Sequence, residues 1–447
     1  MSEYLFSPQS IPCNTDYDVI VVGGGPAGSA AAASAAREGA KTLLIEASGS
    51  LGGSGTSALV PAWCPFSDKE KIIYRGMGQQ VLKKSKEGSS HIPKDQLDWV
   101  PIDAEKLKRI YDDLVTEQGG TVLFHTVLSY VDAEEDPKSG LRNINAIVTS
   151  NKAGLQAWKA KVYIDCTGDG DLCAWAGAEF QKGDDEDSRL MPATHCFLLS
   201  NVDEYAYRNE PNLHANNPES PIHAIYASGK YPEIPDVHCC NNTVGPGTVG
   251  FNAGHVWDVD NTDPASVSVG LMKGRKLAAA YREALAEFVP KTFANSFLVS
   301  TGSQIGIRET RRVIGDYILS AEDYIQRKSF EDEICRNAYF IDIHGVKGKP
   351  KSEKAVHTIG RYGPGESHGL PYRCLTPRDL KNVLVAGRPI SCDRTVLGSV
   401  RVMPVCLAMG EAAGMAAAHA GNGDGNVHDV DVKKLRARLR EMGAYLP

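Results

Sequence analysis

The chain has 447 residues, which is too long for one simple hydrophobic core and suits two or three domains. Its 42% hydrophobic and 23% charged residues are typical of an ordinary soluble globular protein. A net charge of -7 is small for this length. It gives no electrostatic reason to expect nucleic acid or an anionic membrane as a partner.

The N-terminal segment MSEYLFSPQSIPCNTDYD has neither a basic region nor an apolar stretch, so no signal peptide is expected. The longest run of small apolar residues, VMPVCLAMGEAAGMAAAHA, contains Pro404, Glu411 and His419. It is too short and too polar for a bilayer span, and no membrane span is expected. The spacing Gly410-x-x-x-Gly414 imitates a membrane-helix dimer motif. In a soluble chain it predicts close packing of a helix against a sheet.

The 11 cysteines are scattered, and none of them has the C-x-x-C spacing. This distribution differs from iron–sulfur and structural zinc sites, and it predicts free thiols in a reducing compartment. A cytoplasmic location is the resulting expectation. The sequence has no H-E-x-x-H motif and no clustered His/Cys spacing, so no metal site is predicted.

The secondary-structure pattern starts at Asp18. DVIVV predicts a buried parallel strand, GGGPAG a turn, the following alanine-rich stretch a helix that ends near Gly39, and KTLLIE a second strand. Residues 66–99 are polar and predict an exposed helical insertion. TVLFHTVLSYVDAEED, NINAIVTSN and QAWKAKVYIDCTG predict strands. Residues 184–296 are rich in Asn, Pro and His and predict a separate substrate-covering domain.

These features predict an α/β fold, with a Rossmann-like dinucleotide-binding domain built on a parallel sheet and a second α+β substrate or cap domain. The expected N-terminal tail is 1–15. The dinucleotide-binding domain is discontinuous, at 16–65, 100–183 and 340–447. The helical insertion is 66–99, and the substrate or cap domain is 184–339.

The turn GGGPAG carries the glycine spacing Gly23-x-Gly25-x-x-Gly28 between a strand and a helix. Gly23 permits the tight turn, Gly25 lets the backbone approach a pyrophosphate, and Gly28 lets the helix pack on the strand. The helix that begins at Pro26 and Ala27 offers N–H groups and a partial positive charge to an anion.

An acidic residue completes this motif. Glu46 stands 18 residues after Gly28, at the end of the second strand, where a carboxylate accepts hydrogen bonds from ribose hydroxyls. The motif therefore predicts a bound dinucleotide. By itself it does not separate NAD from FAD.

Three further segments extend the pattern: LGGSGTSALVP after Glu46, the strand and turn YIDCTGDGD, and NVLVAGRPISCDRTVLGSVRVMPVCLAMGEAAGMAAA near the C-terminus. Together with GGGPAG and IGIRETRRVIGDY, they resemble the FAD-dependent oxidoreductase family, within the flavoproteins of the glutathione-reductase type. The resemblance runs from about residue 16 to 420. It implies FAD as the cofactor and leaves the substrate open.

The resemblance implies which residues meet FAD. Gly23, Gly25 and Gly28 would cradle the pyrophosphate, with Pro26 and Ala27 beside them, and Glu46 would bind the adenosine ribose. The other implied contacts are Gly52, Gly53, Ser54, Thr56, Val127 (through its backbone to adenine), Thr167, Gly168, Asp169, Gly387, Arg388, Arg394, Gly398, Ser399, Val400 and Val402.

The segment IGIRETRRVIGDY, called here the arginine segment, places three arginines and a glutamate among apolar residues. Burying such charges without partners costs several kcal/mol per ion. As a strand, the segment would put Glu309 and Arg311 on one side and Arg308 and Arg312 on the other. Two interpretations stay open. The arginines form an ion-pair lattice with Glu309 and Asp316, or Arg308 clamps a substrate carboxylate or carbonyl beside the flavin.

The C-terminal apolar run predicts a helix whose first turn contains Pro404. A helix that starts there would direct its positive end towards the flavin and favour the anionic reduced form. The alternative is a core helix whose dipole points at solvent.

Two histidines are candidates for acid/base catalysis: His255 in NAGHVWDVD and His368 in GPGESHGLPYRC. Each is otherwise a loop histidine. Cys64 follows the Gly52–Gly53 segment, but no second cysteine lies four or five residues away, so a flavin–disulfide relay is not expected.

The sequence thus predicts an FAD-dependent oxidoreductase that transfers a hydride between flavin N5 and a small polar substrate, at a C–OH/C=O or C–H centre. The alternatives are a flavin-dependent hydroxylase or other modification enzyme, and a flavin-carrying subunit of an electron-transfer complex. The electron partner is open among O2, a quinone, a carrier protein and loosely bound nicotinamide. The oligomeric state is not predicted.

Overall fold

The structure of the protein is a computed structural model that describes residues 10–137, 139–184, 188–345 and 360–447. Its centre is a five-stranded parallel sheet, called here the central sheet. The strands in spatial order are Val383–Val385, Val162–Asp165, Val19–Val22, Thr42–Ile45 and Thr121–Leu123. Their near-continuous apolar sequences suit a parallel sheet that is covered on both faces. The predicted α/β class with a parallel sheet is confirmed.

Alternate side chains of the central sheet enter two different cores. Val19 and Val21 pack beneath the helices on one face, whereas Ile20 and Val22 pack beneath a second sheet on the other face. This second sheet, called the outer sheet, has the strand order Cys13–Asn14, Gly154–Trp158, Arg142–Asn151 and Val127–Glu135. The predicted tail 1–15 therefore includes two residues that pair in a sheet, and residues 1–9 lie outside the described part.

Two helices pack against each other on the first face of the central sheet: Pro26–Arg37, the first helix, and Met403–Gly421, the long helix. A Cβ on Gly410 would lie 2.1 Å from the Ala27 carbonyl oxygen, and one on Gly414 would lie 2.0 Å from that of Ala31. The predicted close packing is therefore helix on helix, and the prediction of helix on sheet was wrong. Small residues at this spacing bring the two backbones together.

A third layer, called the cap, carries an antiparallel sheet with its own hydrophobic core. Its strand order is Cys239–Gly245, Thr248–Ala253, Phe197–Ser200 and Phe297–Thr301. The helices of this layer are Glu204–Asn209, Pro221–Ser228, Pro264–Phe288 and Pro290–Phe293. Phe197 stacks on Phe251 with ring centroids 4.9 Å apart, at the centre of this core.

The remaining elements surround these layers. Two ribbons pair Phe180–Lys182 with Arg311–Val313 and Glu333–Asn337 with His368–Pro371. The other helices are Met77–Lys86, Ala104–Thr116, Asp171–Trp175, Ala321–Ile325, Arg394–Val400 and Val432–Glu441. Short 3-10 turns occur at Gly53–Gly55, Tyr372–Cys374 and Val427–Asp429.

Two stretches pack differently from what the predicted domain boundaries imply. The helix Met77–Lys86 does lie in the predicted insertion, but its apolar face enters the large core that also contains the first helix and the long helix. Tyr324 and Ile334, inside the predicted cap domain, join the same core. The separate cap core therefore spans a shorter part of the chain than 184–339.

Within the described ranges, no single helix is long and apolar enough to cross a membrane. Only the pair Arg394–Val400 and Met403–Gly421, bent by 91°, meets the length and composition criteria when taken together. All 11 cysteines are described, and each is a free thiol, as the sequence predicts.

Candidate functional site

A cavity of about 1860 Å³ lies at the carboxyl edge of the central sheet. Its wall includes Gly23, Glu46 and Cys166, each of which directly follows a strand. Ligands of parallel α/β sheets bind outside the carboxyl ends of the strands. The volume exceeds the ~300–1,000 Å³ of a usual small-molecule site. The cavity therefore has room for a cofactor together with a substrate.

The glycine turn presents a closed side and an open side. Gly23 has a φ of +96°, and a Cβ there would lie 2.3 Å from the Cys166 carbonyl oxygen. A Cβ on Gly28 would lie 1.8 Å from the Gly23 carbonyl oxygen, so strand–turn–helix packing requires both glycines. At Gly25 a Cβ would meet nothing within 4 Å. Gly25 faces the cavity, and a ligand can approach the backbone on that side.

The start of the first helix fits an anionic group. Gly25 is its N-cap and provides no side-chain acceptor, and Pro26 and Ala27 line the cavity. The N–H groups of a first helical turn have no partner within the helix, and the helix dipole favours negative charge there. This is the environment that a dinucleotide pyrophosphate needs.

Glu46 is in place to meet a ribose. Its carboxylate accepts hydrogen bonds from the backbone N–H groups of Gly24 (2.6 Å) and Ser48 (2.7 Å). These bonds fix the carboxylate on the cavity wall. Carboxylate oxygens have further lone pairs, which can accept from hydroxyl groups of a ligand.

The predicted cofactor residues fall into two groups. Those on the cavity wall are Gly23, Gly25, Pro26, Ala27, Glu46, Gly53, Ser54, Val127, Thr167, Gly168, Asp169, Gly387, Arg388 and Val402. Those that do not line the cavity are Gly28, Gly52, Thr56, Arg394, Gly398, Ser399 and Val400.

Residues of the second group have partners inside the fold. Thr56 donates a hydrogen bond to the Leu51 carbonyl (2.6 Å), and Ser399 donates to the Tyr339 carbonyl (2.5 Å). A Cβ on Gly398 would lie 3.0 Å from the backbone nitrogen of Asp342. Direct contact of these side chains with a ligand in the cavity has no geometric support.

Arg388 links the turn after the strand Val162–Asp165 to the arginine segment. Its guanidinium donates to the carbonyls of Gly168 (2.7 Å) and Ile307 (2.8 Å) and to the Asp169 carboxylate (2.6 Å). Thr310 donates to the same carboxylate at 2.6 Å. The cavity wall next to the predicted flavin position is therefore held by charge-assisted hydrogen bonds.

The long helix begins at the cavity. Its N-cap Val402 and the first-turn residues Met403 and Cys406 line the wall, and Pro404 occupies the first turn. No side chain caps this N-terminus. The position agrees with the expected helix start, and the predicted effect on the flavin remains a prediction.

Most of the arginine segment forms the predicted ion-pair lattice. Glu309 is fully buried and accepts from Arg312 (2.9 Å) and Arg394 (2.9 Å) and from the backbone N–H of Met191 (3.0 Å). Arg311 pairs with Asp171 at 2.7 Å. We call Glu309, Arg312 and Arg394 the buried lattice.

The predicted strand geometry of this segment was wrong. Only Arg311–Val313 forms a strand, and the irregular chain before it lets Glu309 and Arg312 meet although strict alternation would place them on opposite faces. Asp316 does not reach the arginines as expected. It accepts from Thr376 at 2.7 Å and contacts His428 Nδ1 at 2.8 Å.

Two arginines on the cavity wall differ from those in the buried lattice. Arg308 donates to the Pro192 carbonyl (2.7 Å) and the Thr194 hydroxyl (2.8 Å), with a long contact of 3.4 Å to Asn252. Arg401 donates to the carbonyls of Arg308 (2.9 Å) and Asp342 (2.7 Å). Among the described residues, neither guanidinium forms an ion pair with a carboxylate. Burial, followed by the charge of Arg401, lowers the pKa of Arg308 to about 10.

Three histidines of the cavity wall, His238, His255 and His344, lie together and are called the histidine cluster. His255 Nε2 lies 2.8 Å from His344 Nδ1, and the rings of His238 and His255 stack with centroids 4.5 Å apart. His255 was predicted as an acid/base residue, and the structure places it within reach of a ligand. Its catalytic role remains a prediction.

Two carboxylates flank the histidine cluster. Asp236 contacts His255 Nδ1 at 2.8 Å, and Asp342 contacts His344 Nε2 at 3.4 Å. Burial would raise the pKa of Asp342, but His344 and the nearby arginines hold it well below its usual value. Burial, followed by the charge of Arg308, lowers the pKa of His344 to about 3.

The sequence contained a partial signal for this cluster. His238 and His255 flank the hairpin formed by Cys239–Gly245 and Thr248–Ala253, in which Cys239 pairs with Ala253. Recognition of the hairpin around the turn at Pro246 would have placed the two histidines side by side. His344 comes from a distant segment, and no local pattern connects it to the other two.

His368 lies outside the cavity wall. Its ring is fully buried, and its Nδ1 lies 2.7 Å from the Tyr362 hydroxyl oxygen. Burial, followed by the charge of Arg336, lowers its pKa to about 3. The glycine-rich loop that suggested ligand contact leads into the ribbon strand His368–Pro371. The predicted catalytic role of His368 therefore has no support in the geometry.

Solved structures with a similar arrangement of the chain include a geranylgeranyl bacteriochlorophyll reductase-like protein from Thermoplasma acidophilum. The identity is 14% and the TM-score 0.45, over 96% of this chain and 83% of that one. A p-nitrophenol 4-monooxygenase from Pseudomonas putida is 13% identical with a TM-score of 0.42, over 95% of this chain and 84% of that one. Scores of this size carry no argument about activity.

No protein of curated function matches the chain. Residues 18–439 match the sequence profile of the family described as "FAD dependent oxidoreductase". That range covers the glycine turn, Glu46, the arginine segment and the long helix, which together form or support the cavity wall. The chain belongs to this family, and it is an FAD-dependent oxidoreductase.

Proposed function

We propose that the enzyme transfers a hydride between FAD and a small, polar, oxygen-bearing substrate, at a C–OH/C=O or C–H centre. FAD supplies the hydride donor or acceptor at its flavin N5. The observation that carries the proposal is a single cavity whose wall combines the dinucleotide turn with two arginines that have no carboxylate partner within the described part of the chain.

Under this proposal, the predicted cofactor residues that line the cavity wall are the ones that contact FAD. The N–H groups at the start of the first helix hold the pyrophosphate, the Glu46 carboxylate accepts from the adenosine ribose, and the backbone of Val127 meets adenine. Gly168 and Val402 border the flavin. The open space beside Gly25 supports this placement, because the pyrophosphate needs close access to the backbone. We also propose that the protein is related to the flavoproteins of the glutathione-reductase type.

Arg308 and Arg401 bind the substrate. Both line the cavity wall, and among the described residues the second terminal nitrogen of Arg308 makes only the 3.4 Å contact to Asn252. A partly buried guanidinium that donates to no carboxylate among the described residues gains most from a carboxylate or another oxygen with partial negative charge. The planar fork of Arg308 then orients the substrate in the cavity.

The test is an anaerobic screen with free FAD as the control: oxidised FAD-loaded protein is mixed with hydroxy acids, polyols and sugars, and chemically reduced protein is mixed with oxo acids. At least one hydride donor should bleach the oxidised flavin of the protein, or at least one oxo acid should restore the oxidised spectrum of the reduced protein, and neither should change free FAD in the same way. Bleaching that requires NAD(P)H together with a substrate, followed by oxygen incorporation, would replace the proposal with a hydroxylase. If no compound reacts and the flavin exchanges electrons only with another protein, the electron-transfer subunit is correct.

A further inference from the structure

The histidine cluster converges on one point of the cavity wall. One ring nitrogen from each of His238, His255 and His344 lies within 4.8 Å of the other two. The three residues come from the two ends of the cap hairpin and from a segment more than 80 residues later. Nothing in the proposed hydride transfer requires three imidazoles at this place.

Two of these rings turn lone pairs towards each other. Asp236 lies 2.8 Å from His255 Nδ1, and Asp342 lies 3.4 Å from His344 Nε2. An ionised carboxylate only accepts, and a neutral imidazole has one N–H. When both rings are neutral and each donates its N–H to its carboxylate, the other nitrogen of each ring carries a lone pair. These inner nitrogens, His255 Nε2 and His344 Nδ1, are 2.8 Å apart. Two lone pairs at that distance repel, and a shared cation removes the repulsion.

His238 supplies a third, independent observation. Its Nε2 is buried and has no hydrogen-bond partner among the described residues. A buried polar atom without a partner costs about 1–3 kcal/mol. Its ring stacks on that of His255, and one nitrogen of this ring lies within 4.8 Å of a nitrogen in each of the other two. A cation that binds all three nitrogens satisfies His238 as well.

We propose that His238, His255 and His344 bind a divalent transition-metal ion, of the zinc or iron(II) type, on the cavity wall. Three imidazoles suit these ions, and three protein ligands leave one position open to the cavity, as in catalytic metal sites. Metal–nitrogen bonds of ~2.1 Å place tetrahedral ligands about 3.4 Å apart. The distances of 2.8 Å and up to 4.8 Å in the cluster bracket this value, so small side-chain rotations complete the site.

Two carboxylates and two arginines surround the histidine cluster. Asp236 and Asp342 orient the metal-binding rings, as outer carboxylates do in histidine metal sites, and they offset the charges of Arg308 and Arg401. The charge of the ion then remains available for an anionic oxygen of a ligand in the open position. The metal site stands on the histidine cluster alone and does not depend on the hydride-transfer proposal.

The experiment uses untagged FAD-loaded protein that is treated with a chelator and then dialysed against Zn²⁺. Metal analysis should find one tightly held Zn²⁺ per chain, and Co²⁺ should give the visible absorption of a bound, low-symmetry ion in a difference spectrum. His238→Ala should weaken Zn²⁺ binding by more than about 100-fold. Asp236→Asn should weaken it by about 10–100-fold, the range for an outer carboxylate. The control His214→Ala, also on the cavity wall but outside the cluster, should bind Zn²⁺ like the wild type.

FAD content and melting temperature show that each variant is folded. His238→Ala is the decisive variant, because within the described ranges the His238 Nε2 makes no hydrogen bond whose loss would unfold the protein. If the wild type retains no stoichiometric ion, a proton alone occupies the cluster and the proposal is overturned. Equal retention by the wild type and His238→Ala overturns it as well. Flavin reduction is measured separately, so a protein without metal that still reduces its flavin leaves the proposed function intact.

Discussion

The buried lattice and the cavity wall handle arginine in opposite ways. In the buried lattice, Glu309 lies between Arg312 and Arg394, and all three charges have partners inside the chain. On the cavity wall, the described acceptors of Arg308 and Arg401 are uncharged: backbone carbonyls, the Thr194 hydroxyl, the Asn252 amide oxygen and the Met191 sulfur. Both regions meet in one short segment, since Arg308 and Glu309 are neighbours. Arginines that pair with a buried carboxylate stabilise the fold. Arginines that donate only to uncharged acceptors among the described residues indicate where an anionic ligand binds.

The largest expected effect comes from breaking the buried lattice. Glu309→Ala leaves the buried Arg312 guanidinium without its carboxylate and removes the nearest carboxylate from the partly buried Arg394. Removal of one partner of a buried ion pair costs about 3–5 kcal/mol. Urea denaturation should show this loss in the free energy of unfolding. Glu179→Ala is the matched control, because Glu179 forms an exposed pair with Arg378 that is worth about 1 kcal/mol or less. Equal losses in the two variants would show that the lattice does not stabilise the fold.

The second prediction concerns the cavity wall. Arg308→Lys keeps the positive charge and removes the planar fork, so it should weaken reduction of the flavin by substrate by about 1.5–3 kcal/mol, or roughly 10- to 150-fold. FAD content and melting temperature should stay near the wild-type values. The measurement is anaerobic flavin reduction with the substrate that the screen identifies.

Arg311→Lys serves as the control for this prediction. Arg311 pairs with Asp171 and lies over the ring of Phe180, so its replacement should cost stability and leave the reduction rate nearly unchanged. If Arg308→Lys instead loses FAD or unfolds, while its remaining holoenzyme reacts normally, Arg308 belongs with the structural arginines and the contrast between the two regions disappears.

The third prediction applies the same contrast to the glycine turn. Gly25→Val directs a side chain into the open space beside Gly25 and should weaken FAD binding by about 1–3 kcal/mol, the cost of overpacking a close contact. Gly245→Val is the control, since a Cβ there also meets nothing within 4 Å and the residue does not line the cavity. Titration of the apoproteins with FAD gives both affinities. Wild-type affinity in Gly25→Val would place the pyrophosphate elsewhere.

Much of the FAD side of the cavity could be predicted because its signals are local. A strand, a glycine turn, a helix and Glu46 follow one another within 30 residues, and each has a stereochemical reason for its position. Arg308 was predicted to meet the substrate from its place after a glycine-containing run, and it lies on the cavity wall. Ser399 and Arg394 were also predicted to meet the cofactor but do not line the cavity, because family-type spacing does not show which side of the chain faces it.

The histidine cluster and the buried lattice could not be predicted in the same way. His238 and His344 are separated by 106 positions in the sequence, and only the tertiary packing of the cap on the central-sheet layer brings them together. Glu309 pairs with Arg394 through a similar long-range contact. Alternation along a strand gave a wrong facing for Glu309 and Arg312, since the chain is irregular before Arg311.

The smallest predicted effect lies at the far end of the arginine segment, where Asp316 pairs with His428 at 2.8 Å. Burial alone would lower the pKa of His428, but the hydrogen bonds to Asp316 and the Leu380 carbonyl, together with the nearby Asp429, raise it above its ordinary value of 6.5. A pKa that is raised in the folded state stabilises the protein fully below 6.5, and this contribution is lost as the pH rises through the folded-state pKa.

Between pH 5.5 and 9, the wild type should therefore lose about 0.2–1 kcal/mol of unfolding free energy relative to His428→Gln. In the Asp316→Asn background the same substitution should change the pH dependence much less, because the partner is already gone. If the pH dependence of the wild type and of His428→Gln is the same, the pair is only a neutral contact, and Asp316 does not extend the internal pairing of the buried lattice to the C-terminal region.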